Sequence, residues 1–233
     1  MNAISSQIES VIGSAPRDLV ELYATDNLPS FPEGRINILP FQTARSVTSH
    51  MQVMSVVATL GLWILDNAED SNPYCLITKG PFQGFVVHFS HDPEPVIAFD
   101  SLVRFIAETR RIGEAGGNID NLEKGIDHRR DISDIAELLV EQNTEDAIFL
   151  LCLYMTGRPI ISTVAQESIA ACEDFYAGEA LAHWLNVEGM IKDLPIAEKL
   201  ASNNNPQVSA PGKAAAISII KRSNQRNNSN KMP

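Results

Sequence analysis

The segment from Gly61 to Phe99 constrains the fold most. Four short runs rich in β-branched and aromatic residues follow one another: Gly61-Leu62-Trp63-Ile64-Leu65-Asp66, Tyr74-Cys75-Leu76-Ile77-Thr78, Phe85-Val86-Val87-His88-Phe89-Ser90 and Val96-Ile97-Ala98-Phe99. Turn formers separate them, at Asn67–Pro73, Lys79–Gly84 and His91–Pro95. Strand–turn units of this length predict an antiparallel meander. Asp100-Ser101 then offers a cap for a helix, Leu102 to Glu108, whose apolar residues recur at helical spacing.

Upstream, Pro16 opens a helix with Leu19, Val20, Leu22 and Tyr23 on its apolar face. Pro29, Pro32, Gly34 and Pro40 break the following chain into turns around a short strand, Ile36–Leu39. Ser46 to Val57 reads as a helix weakened by its valines and threonine. Downstream of the glycines at 113, 116 and 117 the character becomes helical. Helices are expected at Asp131–Gln142, at Ala147–Met155 behind a Thr144 cap, at Thr163–Cys172 and at Gly178–Leu185. From Ala201 the chain turns polar and Asn-rich, a composition with too little apolar surface to offset its ordering entropy. The expected fold class is therefore α+β. An antiparallel sheet flanked by helices occupies residues 15–110, a helical extension 128–198, and a disordered tail 199–233 with at most a brief helix at 214–221.

Charge narrows the function classes. The chain of 233 residues has 29 acidic and 18 basic side chains, a net charge of −11. The last acidic residue is Glu198, so residues 1–198 hold 29 acidic against 12 basic groups, or −17, and the tail carries +6. A body this acidic argues against direct nucleic-acid binding. No apolar run approaches the ~18–20 residues of a membrane helix. The opening Met1–Gln7 lacks the basic start and apolar stretch of a secretory signal, so a cytoplasmic address is expected. Cys75, Cys152 and Cys172 suit buried thiols better than a disulfide framework or a zinc site.

The strand runs from Gly61 to Phe89, with Gly80, Gly84 and His91-Asp92, and the Ser101-capped helix ending in Phe105-Ile106, resemble the SUKH superfamily over about residues 15–110. That resemblance implies an α+β domain and an immunity protein that neutralises a bacterial polymorphic toxin, often a nuclease. Nucleases carry basic grooves, and an acidic surface accelerates association with them. Solubility is the alternative reason for such a charge.

No catalytic, metal or cofactor motif stands out. His88 and His91 lie three apart along a strand, so they point to opposite faces, and His91-Asp92 reads as a turn. Gly80-Pro81-Phe82-Gln83-Gly84 precedes a strand, whereas phosphate loops precede a helix. Trp63 alternates with Leu62 and Ile64, and one of these sets faces the helices. If Trp63 is on the open face, it is an interface anchor beside Asp66, Glu69 and Asp70. The expected partner-binding set is Trp63, Asp66, Glu69, Asp70, His88, His91 and Asp92, placed to cover a basic toxin through the loops Asp66–Asn72 and Ser90–Pro95. An interaction adaptor working through its helical half is the alternative, and a hydrolase built from distant positions is a third class.

Overall fold

The computed structural model describes residues 3–25, 27–66, 72–90 and 94–229. The chain is α+β, and the described residues are 61% helical with two small antiparallel sheets. It divides into two units, Met1–His128 and Arg129–Pro233.

The first unit opens with α1 (Ala3–Ile12) and α2 (Arg17–Ala24), the latter entered through Pro16. A hairpin of β1 (Ser30–Phe31) and β2 (Ile36–Asn37) follows. The expected helix over 46–57 is instead two, α3 (Phe41–Met51) and α4 (Ser55–Leu60). Gly61 closes α4 in the left-handed region at φ +56, and a Cβ there would lie 2.4 Å from the Thr78 hydroxyl. Only glycine turns the chain so tightly into the sheet.

The meander then forms as β3 (Trp63–Ile64), β4 (Tyr74–Leu76), β5 (Val86–His88) and β6 (Val96–Phe99), hydrogen-bonded in sequence order and antiparallel throughout. Its register places Trp63 opposite Leu76, Tyr74 opposite His88 and Val86 opposite Phe99. Because cross-strand partners share a face, these residues line one side of the sheet. The next helix, α5 (Leu102–Glu114), covers that side with Phe105, whose ring lies 5.0 Å from Tyr74 and 5.4 Å from Phe99. Ser101 caps α5 as expected, its hydroxyl accepting the Arg104 N–H at 3.3 Å. The opposite face, with Ile64, Cys75, Val87 and Ile97, is buried as well.

Both outer strands have neighbours. On one side the Leu39 N–H donates to the Leu65 carbonyl at 2.8 Å, beside a bridge between Ile38 and Asp66. On the other, Gly125 forms a parallel bridge with Phe99 and exchanges hydrogen bonds with Ala98 and Asp100. The strap holding Gly125 is pinned by the Asp100 carboxylate, which accepts the N–H groups of Asp127 at 2.8 Å and His128 at 3.0 Å. Burial alone would raise the Asp100 carboxyl. The two N–H groups and the nearby Arg104 guanidinium outweigh it and hold the group below its ordinary value.

The second unit is helical: α6 (Ser133–Gln142), α7 (Glu145–Thr156), α8 (Thr163–Ala171), α9 (Phe175–Glu188), α10 (Leu194–Ala201) and α11 (Pro206–Ser229). The Thr144 hydroxyl caps α7, and seven of that helix's residues are buried, as its all-apolar sequence demands. Glu188, at the end of α9, accepts from both Arg129 and Arg158.

The tail departs from expectation. Residues 206–229 form α11, which packs on α9 and α10 through Val208, Ala215 and Ile219. Small residues replace bulk here: a Cβ on Gly212 would sit 2.6 Å from the Ala201 nitrogen and 2.7 Å from the Leu200 carbonyl carbon. Close backbone approach thus buries a helix whose composition alone reads as too polar to fold.

Candidate docking site at one end of the meander

In an antiparallel meander alternate connections emerge at the same end, so the β3–β4 and β5–β6 connections are neighbours. Their described residues are bonded to each other. The Phe89 N–H donates to the Pro73 carbonyl at 2.9 Å, and the Ser90 hydroxyl donates to the Asn72 side-chain oxygen at 3.1 Å. The described ends of the two segments singled out from the sequence, Asn72 and Ser90, therefore meet. Under them the His88 ring stacks on Tyr74 at 4.5 Å, and Tyr74 stacks in turn on Phe105. This aromatic column fixes the end of the sheet beneath the loops.

Two residues expected at the surface are interior. Trp63 is fully buried, its ring 6.0 Å from Phe41 and 6.1 Å from Tyr23, and its indole N–H donates to the Tyr23 hydroxyl at 3.1 Å. An indole enclosed in that way cannot anchor a partner. The reason is that α2 and α3 cover the face on which Trp63 lies, so no open sheet face exists there. Asp66 is 1% exposed, and its carboxylate accepts the Tyr74 N–H at 2.6 Å. It shapes the start of the β3–β4 connection and is not a steering charge. His88 is half-buried in the aromatic stack. Glu69, Asp70, His91 and Asp92 lie outside the described residues.

Three residues lie within the expected loops but outside the expected residue set. Asn72 and Ser90 join the connections, and Glu94, two residues before β6, is exposed. Their signal was present in the turn-forming Asn-Pro and in the Ser90 that follows β5.

The interior chemistry of this end is that of a scaffold. Burial pushes the Tyr74 hydroxyl well above its usual range, and the negative Asp66 adds to the rise. The Cys75 thiol is raised by the same two causes, burial first. A thiol so raised is a poor nucleophile. Burial also lifts the Tyr23 hydroxyl to about 12, against the opposing hydrogen bond from Trp63. Among the described residues no group of three or more His, Cys, Asp and Glu is arranged to hold a metal ion, and no helix is long and apolar enough to cross a membrane.

What the arrangement offers chemically is a rim. Both outer strands carry backbone neighbours, which disfavours addition of a partner strand to the sheet. Loops held by a rigid sheet are then the natural recognition surface. No protein-family model, curated protein or solved structure matches the chain, so the functional reading rests on its own residues.

Proposed function

We propose that the chain is a non-enzymatic immunity protein of SUKH type, which binds a bacterial toxin and blocks it by covering the catalytic groove. The observation that carries this reading is the union of the β3–β4 and β5–β6 connections through the Phe89–Pro73 and Ser90–Asn72 hydrogen bonds. It joins the described ends of the two turn segments above the His88–Tyr74–Phe105 column. Inhibition needs no chemistry from the inhibitor, only a preorganised surface that keeps substrate out.

Charge supplies partner choice. Residues 1–128 hold 16 acidic and 8 basic side chains, a formal charge of −8. A field of that sign favours a basic partner and raises its encounter rate at low salt. Nucleic-acid-cutting toxins, with their cationic grooves, are the matching class, and the cytoplasm is where such a toxin would have to be met.

Growth rescue tests the reading. Co-expression with a toxin domain encoded beside this chain should restore growth and yield a stable complex. Absence of both rescue and complex would remove the proposal. The rim itself is tested by Glu94→Lys, an exposed change expected to leave stability within about 0.5 kcal/mol. It should slow association with the toxin and flatten its salt dependence. Unchanged on-rates would place the contact elsewhere.

A further inference from the structure

Helix α11 carries two seams. Val208, Gly212, Ala215 and Ile219, spaced by four, three and four residues, form the buried one against α9 and α10. Lys213, Ile217, Ile220 and Asn224 repeat the same spacing and are all exposed. At 3.6 residues per turn the second seam lies about 140° around the helix from the first. Ile217 is 67% and Ile220 45% exposed, and with Lys221, Asn224 and Gln225 they line a shallow groove. A four-three-four spacing with paired isoleucines is the seam geometry of helix-on-helix packing, and a polar asparagine in such a seam sets register.

We infer that this outer seam of α11 binds an acidic amphipathic helix of a partner protein. Charge complementarity identifies the occupant. No acidic residue follows Glu198 in the sequence, while Lys213 lies on the seam and Lys221 beside it. A partner helix would set two apolar residues against Ile217 and Ile220, carboxylates opposite the two lysines, and a polar side chain against Asn224. A second copy of α11 is a poor occupant, since it would bring the same lysines with no carboxylate to face them. A lipid surface is poor too, for the seam has no aromatic residue and Lys213 stands within its apolar line. The inference does not depend on the toxin reading, because it concerns α11 and not the rim of the first unit.

The test uses the full chain and a labelled helical peptide about three heptads long, with Leu at its seam positions and Glu on both flanks. The peptide should bind the chain, and binding should weaken as salt is raised. The double variant Ile217→Ser with Ile220→Ser should weaken binding at least about tenfold. Lys213→Glu with Lys221→Glu should also weaken it, and a peptide with Lys flanks should not bind. Both double variants change exposed residues, so circular dichroism and melting should match the parent. Absent binding, equal binding of the Lys-flanked peptide, or indifference to the isoleucine variant would overturn the inference. So would self-association of the chain that the isoleucine variant abolishes, or binding to phosphatidylserine vesicles without binding to the Glu-flanked peptide.

Discussion

Replacing Asp100 by asparagine removes one charge from a buried site and leaves its shape nearly unchanged. The carboxylate accepts two backbone N–H groups, at 2.8 and 3.0 Å, and lies 3.7 Å from the Arg104 guanidinium. A hydrogen bond to a charged group contributes roughly 1.5–3 kcal/mol, and a neutral one about 1. Both N–H groups share one oxygen, so asparagine keeps both as neutral bonds and roughly 1–4 kcal/mol is lost from the two. The Arg104 pairing adds at most about 1 kcal/mol, because that guanidinium is well exposed. A total near 3 kcal/mol, with a urea dependence of roughly 2 kcal/mol per molar, lowers the unfolding midpoint of the first unit by about 1.5 M. The amides of Asp127 and His128 should lose hydrogen-exchange protection to match. The pH dependence is the sharper part. The Asp100 carboxyl is held below its ordinary value in the folded state, so its contribution is complete above the unfolded value of 3.8 and is lost as pH falls through the lower folded value. The gap between parent and variant should thus be constant from about pH 7 to pH 5 and should close in stronger acid. A gap that persists unchanged to pH 2 would refute the electrostatic account of the strap.

Two other substitutions examine the cores. Trp63→Phe leaves a void and deprives the Tyr23 hydroxyl of its donor, at a cost of about 2–4 kcal/mol in a denaturant melt. A melt unchanged by that variant would contradict the enclosed indole. Gly212→Ala forces a methyl group against the α10 backbone and should destabilise the second unit by roughly 1–3 kcal/mol, seen as faster exchange in α10 and α11. Stabilisation, the usual result of Gly→Ala in an open helix, would show that the two helices do not approach so closely.

The meander was legible because its information is local. Short runs of Val, Ile, Phe and Tyr between turn formers define each strand, and Ser101 announces α5 within three residues. The direction in which Trp63 points was not legible. Alternation along one strand gives two faces, but α2 and α3 decide which are covered, and those helices lie far away in sequence. Asp66 misled for a related reason: a carboxylate beside a turn reads as exposed until its acceptor role toward the Tyr74 N–H is known. The tail was misread because composition measures side chains, whereas α11 is buried partly by backbone contact at Gly212. Of the β1–β2 hairpin only the second strand was foreseen, within Ile36–Leu39; the two-residue β1 and the opening helix α1 gave too short or too ambiguous a pattern.

The two guarded margins of the sheet differ in when they come into being. During synthesis the segment at Ile38 and Leu39 is made before β3, so that strand is born beside its neighbour. The other margin waits: Gly125 follows Phe99 by 26 residues. At roughly 5–20 residues per second, β6 stays uncovered on the ribosome for about 1–5 s. That interval is the one in which a nascent chain can pair wrongly with another, and it ends when the Asp100 carboxylate captures the strap.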